Sequence, residues 1–181
     1  MGNVTLDDKT FRPYIPYSRI DEAIAKVAGK LNEDYRDCGE VPVLLCVLNG
    51  AMVFFTDLIT RLDFNMEVVS VKLTSYVGTQ SAGTVRKSMD FTGNVKGRKV
   101  LVVEDIVDTG NTIAEISRLL KEAGAKETRI CTMLFKPAVF KGSVPPDYVG
   151  LSIPNDFVVG FGLDYNELGR NLKDIYVVDS Q

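Results

Sequence analysis

Strand-like and helical patterns of apolar residues alternate through the middle of this chain. Short, mostly apolar runs rich in β-branched residues predict four strands, at Val43–Leu48, Val68–Leu73, Lys99–Val103 and Arg129–Phe135. Apolar residues spaced three or four positions apart predict helices near 18–36, at Ala51–Leu62 and at Thr112–Ala123. Strands that alternate with helices favour an α/β fold, with a central parallel sheet flanked by helices.

The two ends of the chain do not continue this alternation. Shorter strands are predicted toward the C-terminus, at Tyr148–Ile153, Phe157–Gly162 and Ile175–Val178. We therefore expect a single domain over 1–181, with a core at about 17–139. The ends, at about 1–16 and 140–181, are expected to form a small hood over the active edge of the sheet.

One internal segment, 74–96, is polar and rich in glycine, serine and threonine. It contains too few apolar residues for an element of the core, so we expect a long loop there. Long loops in compact domains are usually functional.

Three carboxylates and a turn of small residues follow the third predicted strand. Glu104 and Asp105 stand at its end and Asp108 comes shortly after them. A turn then leads directly into a helix, and it consists of Thr109, Gly110, Asn111 and Thr112. Ligands of open α/β sheets bind at the carboxyl ends of the strands, and the free N–H groups at a helix start attract anions. The turn is therefore predicted to bind phosphate. The pattern G-x-x-x-x-G-K-[ST] is absent from the sequence, which argues against a P-loop NTPase.

The two carboxylates at the strand end favour a sugar beside that phosphate. Glu104 and Asp105 cannot bind phosphate themselves, but they can accept hydrogen bonds from vicinal sugar hydroxyls or bind a hard divalent cation. Phosphate donors beside hydroxyl acceptors describe a site for a ribose 5-phosphate group.

Composition narrows the chemistry further. The 181 residues contain no histidine, which excludes histidine bases, Ser-His-Asp triads and His-ligated zinc, and leaves oxygen-bound Mg²⁺ as the expected metal. The net charge is −3 and no block of lysine and arginine stands out, so neither nucleic acid nor a membrane is expected as a partner. The three cysteines are widely spaced and no signal peptide begins at Met1, so a cytoplasmic protein is expected.

The stretch from Val100 to Thr112 resembles the phosphoribosyl-pyrophosphate signature of type I phosphoribosyltransferases. It has the same order of an apolar strand, two acids, two apolar residues and Asp-Thr-Gly-x-Thr. The resemblance extends over nearly the whole chain and is strongest with members that use 6-oxopurines. It implies transfer of a 5-phosphoribosyl group from phosphoribosyl pyrophosphate to N9 of hypoxanthine or guanine, with Mg²⁺, which yields IMP or GMP and pyrophosphate. It also implies a homodimer or homotetramer.

Roles for the signature residues follow from the resemblance. It makes Asp108 the candidate general base, which takes a proton from the purine ring. Glu104 and Asp105 are expected to anchor the ribose hydroxyls and, with Asp164, to bind Mg²⁺. The turn from Thr109 to Thr112 is expected to bind the 5′-phosphate.

The resemblance also assigns a purine site. Lys136 matches a family lysine that donates to the exocyclic oxygen of the purine, where adenine carries a donor instead. Phe157 is expected to stack on the purine, and Val158 to offer backbone groups to its edge. Asp164 is expected to bind a second Mg²⁺ near the base and the pyrophosphate.

Three more places match the family. Arg170 is expected to reach the pyrophosphate, and the Ser75-Tyr76 pair to open a mobile loop that closes over the site. Asn49 and Gly50 stand where the family has its pyrophosphate loop, which contains a cis peptide. The family often has lysine or arginine at the position of Asn49, and the alternative interpretation makes Asn49 the N-cap of the following helix.

Two other functions stay open at this point. Some relatives sense phosphoribosyl pyrophosphate and regulate transcription by binding nucleic acid, but this chain keeps the signature acids and lacks a basic block. The second alternative is another base, namely xanthine, uracil or adenine. Lys136 and the segment around Phe157 favour 6-oxopurines, and they are compatible with xanthine.

Overall fold

The computed structural model describes residues 2–76, 86–90 and 93–179, and for 73–76 and 86–90 it describes the backbone. Within these ranges the helices are α1 at Tyr17–Tyr35, α2 at Met52–Ile59 and α3 at Asn111–Glu122. The strands are β1 at Val4–Leu6, β2 at Lys9–Ile15, β3 at Val43–Leu48, β4 at Glu67–Tyr76, β5 at Arg86–Asp90, β6 at Lys99–Val107, β7 at Glu127–Phe135, β8 at Tyr148–Ser152, β9 at Val158–Val159 and β10 at Ile175–Val178. None of the helices in the described ranges is long and apolar enough to cross a membrane.

The main sheet has the strand order β5-β4-β3-β6-β7-β8. All its neighbours run parallel except β5, which is antiparallel to β4. Successive residues of a strand point to opposite faces, so Leu44 and Leu101 pack with α1 and α2, whereas Leu45 and Val102 pack with α3. The predicted parallel sheet flanked by helices is confirmed.

A smaller antiparallel sheet joins the beginning of the chain to its end, in the strand order β1-β2-β10-β9. The expected hood began near 140, and this boundary was wrong, because β8 pairs in parallel with β7 in the main sheet. The segment between β7 and β8 shows no helical pattern, but its length of about a dozen residues suffices for a parallel crossover. The function of the small sheet as a hood stays a prediction.

The segment 74–96, expected to be a loop throughout, is partly strand. β4 continues to Tyr76, which pairs with Arg86 of the antiparallel β5. The prediction was wrong because backbone pairing at the edge of a sheet does not require the apolar pattern of a core strand. Ser75 and Tyr76 lie at the end of β4. Residues 77–85 and 91–92, which include much of the expected lid, lie outside the described residues, so the lid stays a prediction.

Candidate active site

A cavity of 480 Å³ lies at the carboxyl ends of β3 and β6. It is lined by the last residues of these two strands, by the residues that follow them and by two residues from the segment between β9 and β10. Most of the site residues predicted from the sequence line it, namely Asn49, Gly50, Glu104, Asp105, Asp108, Thr109, Gly110, Asn111, Thr112, Asp164 and Arg170. The fold therefore brings together residues that are more than 100 positions apart in the sequence.

The turn after β6 leaves backbone donors available at the cavity. Gly110 precedes α3 with a φ of +88°, a left-handed conformation that glycine adopts without strain. No side chain among the described residues caps the start of α3. The N–H groups of its first turn therefore have no partner within the helix and can bind an anion in the cavity.

Glu104 and Asp105 form a pair of carboxyl groups at the floor of this site. Glu104 is buried, with 5% of its surface exposed, and burial raises its pKa well above the usual range, as does the neighbouring charge of Asp105. Burial also raises the pKa of Asp105, although the Ile106 N–H donates a hydrogen bond of 2.7 Å to its carboxylate. A cation or a sugar hydroxyl in the cavity would therefore stabilise the charged forms of both groups.

The oxygen donors at the cavity fit Mg²⁺ that is shared with a substrate. Among the described residues, no group of three or more Asp, Glu, Cys and His side chains could bind a metal ion by itself. Mg²⁺ is usually held by one or two carboxylates, by water and by substrate phosphates. Glu104, Asp105 and Asp164 all line the cavity and can supply such carboxylates.

The loop between β3 and α2 lies directly against Asp105. A Cβ atom on Gly50 would stand 1.6 Å from Oδ2 of Asp105, so this close approach requires glycine. Gly162 contacts the same loop, because its Cβ atom would stand 2.2 Å from the carbonyl oxygen of Gly50. The loop is therefore held between the end of β6 and the segment after β9.

Asn49 belongs to this loop and does not cap α2. The Leu48–Asn49 peptide is cis. α2 begins at Met52 with Ala51 as its N-cap, so the interpretation of Asn49 as a helix cap was wrong. Asn49 lines the cavity instead.

Arg170 is the one positively charged side chain among the described residues that line the cavity. Its guanidinium group forms an ion pair of 2.7 Å with Asp164 and donates to the carbonyl oxygen of Gly162 at 3.0 Å. The Asp164 carboxylate also accepts a hydrogen bond from the Glu167 N–H at 2.9 Å. Burial raises the pKa of Asp105, and the charge of Arg170 partly offsets that rise.

Lys136 and Asp108 form an ion pair beside the cavity. Nζ of Lys136 lies 3.1 Å from Oδ2 of Asp108, with 8% of the lysine side chain and 45% of the aspartate side chain exposed. The Lys136 N–H also donates to the Val107 carbonyl at 2.9 Å, which fixes the end of β7 beside the end of β6. Nothing in the sequence pattern indicated that these two residues pair.

Comparison with known proteins assigns the family. The phosphoribosyl transferase domain matches residues 16–166. This chain belongs to the phosphoribosyltransferase family. It is 37% identical to the hypoxanthine-guanine phosphoribosyltransferase of Streptococcus pneumoniae over 177 residues, which cover 97% of each chain. It is 39% identical to that of Mycobacterium tuberculosis over 166 residues, 89% of this chain and 82% of the relative.

Solved structures agree with this assignment. A hypoxanthine phosphoribosyltransferase of Staphylococcus aureus superposes with a TM-score of 0.82 at 34% identity, over 93% of this chain and 91% of that one. The chain is also 38% identical over 178 residues to a bifunctional protein TilS/HprT of Listeria innocua, of whose length it spans 27%. The resemblance to type I phosphoribosyltransferases that use 6-oxopurines is confirmed.

Three residues assigned to the purine are not among those that line this cavity of the phosphoribosyltransferase, namely Lys136, Phe157 and Val158. Phe157 is 46% exposed, and its ring centroid lies 6.2 Å from that of Phe11 and 5.8 Å from that of Tyr165. Val158 is buried in β9, where it pairs with Val177. Their contacts with a purine stay predictions.

Sequence reasoning missed the contribution of Gly162. The residue has a φ of +98° and shapes the loop between β3 and α2 through its contact with Gly50. A glycine between two bulky residues, Phe161 and Leu163, was the available signal for such a close approach.

Proposed function

We propose that this protein transfers the 5-phosphoribosyl group of phosphoribosyl pyrophosphate to N9 of hypoxanthine or guanine. The products are IMP or GMP and pyrophosphate, so the reaction salvages free purine bases. One observation carries the proposal. The start of α3, the carboxyl pair of Glu104 and Asp105, Arg170 and the loop at Gly50 line the same 480 Å³ cavity. This is the arrangement that a ribose bearing phosphates at both ends requires.

The sugar phosphate binds at the end of β6. The turn from Thr109 to Thr112 binds the 5′-phosphate through backbone N–H groups, hydroxyls and the Asn111 amide. Glu104 and Asp105 accept hydrogen bonds from the two ribose hydroxyls. These contacts orient the C1′ atom toward the base and away from bulk water.

Pyrophosphate leaves from the opposite end of the sugar. As the C1′–O bond breaks, the ribose gains oxocarbenium character and negative charge builds on the pyrophosphate. Arg170 and the backbone N–H groups near Gly50 stabilise that charge. When bound by Glu104, Asp105 and Asp164, Mg²⁺ supplies further positive charge for the leaving group.

Lys136 and Asp108, which form an ion pair, have separate functions. Lys136 selects the base, and Asp108 accepts a proton from it. The exocyclic oxygen and the ring nitrogen N7 of a 6-oxopurine lie side by side, so paired groups can bind both. Lys136 donates to the oxygen, while Asp108 takes the ring proton as N9 attacks C1′. Phe157 stacks on the purine, Val158 binds its edge, and the Ser75-Tyr76 loop closes over the site.

Xanthine is the one further base that an observation favours. A relative from Tritrichomonas foetus, 39% identical over 160 residues, is named hypoxanthine-guanine-xanthine phosphoribosyltransferase. Xanthine also carries the exocyclic oxygen that Lys136 would recognise. The dimeric or tetrameric state and the cytoplasmic location stay predictions. The free thiols of Cys38, Cys46 and Cys131 support the latter.

A panel of bases tests the proposal. Purified protein is incubated with phosphoribosyl pyrophosphate, Mg²⁺ and one base at a time, and pyrophosphate release is followed. We expect fast release with hypoxanthine and guanine, very slow release with adenine and none with uracil, and chelation of Mg²⁺ should stop the reaction. Adenine turnover as fast as that of hypoxanthine, or no release with any purine, would contradict the proposal.

A further inference from the structure

We propose that Phe140 is a positioning residue for the phosphate turn, and that affinity for the 5′-phosphate depends on its ring. This inference rests on the proposed function, in which the turn from Thr109 to Thr112 binds that phosphate. Phe140 lies outside the turn, on the segment that follows β7.

The ring of Phe140 lies directly against the backbone of the turn. A Cβ atom on Gly110 would stand 2.5 Å from Cε2 of the ring, and a Cβ atom on Gly142 would stand 2.4 Å from Cζ. The ring is therefore in close contact with two glycines, one of which begins α3 at the phosphate site. Any side chain at Gly110 would displace the ring, which shows how tightly the two surfaces fit.

Other contacts fix the position of the ring relative to the turn. Phe140 packs edge-on against Phe135 at the end of β7, with ring centroids 5.3 Å apart and planes at 74°. The N–H of the next residue, Lys141, donates to the carbonyl of Thr109 at 3.0 Å. The segment after β7 thus contacts the turn both through an aromatic ring and through the backbone.

The turn needs this contact because it lies between two cavities. Gly110 and Ile113 line the 480 Å³ cavity of the active site and also a second cavity of 350 Å³. Phe140 lines the second cavity as well. Without the ring, the second cavity would grow, and the turn could move into it and away from the phosphate.

An anion site made of backbone N–H groups depends on their position. Displacement of such groups by about 1 Å is enough to weaken binding strongly. The groups around Phe157 and around Gly50 that are assigned to the purine and the pyrophosphate come from other segments. Lys136 shares the segment after β7, but its own N–H bond of 2.9 Å to the Val107 carbonyl and its ion pair with Asp108 hold it in place. Loss of the Phe140 ring should therefore weaken binding of the phosphate and spare binding of the nucleoside part.

Binding of GMP and of guanosine to variants of the full chain tests this inference. Dissociation constants are measured by calorimetry for the wild-type protein, for Phe140→Ala and for Phe140→Leu. In Phe140→Ala we expect the Kd for GMP to rise about tenfold and the Kd for guanosine to stay unchanged. Phe140→Leu keeps apolar volume without the flat ring, so its Kd for GMP should rise less than that of Phe140→Ala. It should also fold more readily than Phe140→Ala.

Phe64→Ala is the matched control. Phe64 is also partly buried, and its ring centroid lies 5.3 Å from that of Tyr35. It packs against the α1 and α2 side of the main sheet, whereas Phe140 packs on the α3 side. It should lower the melting temperature about as much as Phe140→Ala and leave both dissociation constants unchanged. Equal weakening of GMP and guanosine, or wild-type GMP affinity in both Phe140 variants, would overturn this inference alone. A wild-type protein that binds no GMP would overturn the proposed function and this inference with it.

Discussion

Lys136 is a nearly buried ammonium group whose charge is matched by Asp108 at 3.1 Å. A buried donor that loses its acceptor costs much more free energy than a well-made hydrogen bond gains. In the proposed reaction, adenine presents a donor to Lys136 and offers no acceptor for the N–H groups of the lysine that do not face Asp108. Discrimination between purines is therefore assigned to this residue, whereas stacking on Phe157 is largely indifferent to ring substituents.

Replacement of Lys136 by serine tests this assignment. Loss of one charge-assisted hydrogen bond corresponds to about 1.5–3 kcal/mol, so kcat/KM for hypoxanthine should fall roughly 10- to 150-fold. The margin over adenine should shrink accordingly. Phe157→Leu serves as the comparison, because it should raise KM for hypoxanthine and guanine alike and keep their ratio. An unchanged hypoxanthine-to-adenine ratio in Lys136→Ser would leave Lys136 without a role in base selection.

Replacement of Asp108 by asparagine tests the assignment of the general base. The shape of the side chain is kept and the proton acceptor is lost, so kcat should fall by roughly 10²–10⁴. The KM for phosphoribosyl pyrophosphate should change little. The substitution also breaks the ion pair, and Lys136→Ser controls for that effect because it breaks the same pair. A near-normal kcat in Asp108→Asn would rule out Asp108 as the base.

At the scale of elements, the loop between β3 and α2 depends on glycine at one position. Gly50→Ala would place Cβ 1.6 Å from the Asp105 carboxylate, so the loop must move. A displacement of about 1 Å can cost 10²-fold in rate, and we expect kcat/KM to fall by about that factor. Steady-state kinetics and melting curves measure the effect.

Gly29→Ala in α1 is the matched control for that substitution. Apart from its own helix backbone, a Cβ atom at Gly29 meets no atom of the described residues within 4 Å, and the residue is exposed in the middle of the helix. The unfolding free energy should therefore rise by about 0.5–1 kcal/mol, with activity unchanged. Destabilisation by Gly29→Ala would contradict the open space at that position. Normal activity of Gly50→Ala would contradict the close approach of Gly50 to Asp105.

The elements that the sequence predicted best are those whose pattern is local. The strand through Glu104, the turn at Gly110 and the helix after it were all predicted from adjacent residues. The structure places them together at the cavity, with the strand continuing to Val107. The sequence did not predict β5 as a strand, and it assigned β8 to the hood instead of the main sheet. Both errors arose because the pairing of these strands depends on neighbouring strands. The pairing of Lys136 with Asp108 was missed for the same reason, since 28 positions separate the two residues.

At the scale of the whole molecule, contacts between the chain ends and the core hold the small sheet in place. The Tyr17 N–H at the start of α1 donates to Oδ1 of Asp174 at 2.7 Å, across 157 positions of sequence. Gly160 lies against the same region, because its Cβ atom would stand 2.1 Å from the Asp174 carbonyl oxygen. No local signal in the sequence could identify this helix-start partner.

Replacement of Asp174 by alanine should therefore destabilise the whole protein. Loss of a side-chain acceptor at a helix start costs about 1 kcal/mol, which corresponds to a decrease of about 2–4 °C in melting temperature for a chain of this size. Asp174→Asn keeps an acceptor oxygen and should lose less. Equal melting temperatures for the wild-type protein and both variants would show that this bond does not support the fold.

The most direct test of the account is to measure both products of the reaction in one sample. The wild-type protein is given phosphoribosyl pyrophosphate, Mg²⁺ and hypoxanthine, and IMP and pyrophosphate are quantified over time by chromatography and mass. Group transfer within the cavity predicts that the two products appear in equal amounts and at equal rates. Pyrophosphate without IMP, or neither product, would contradict the account.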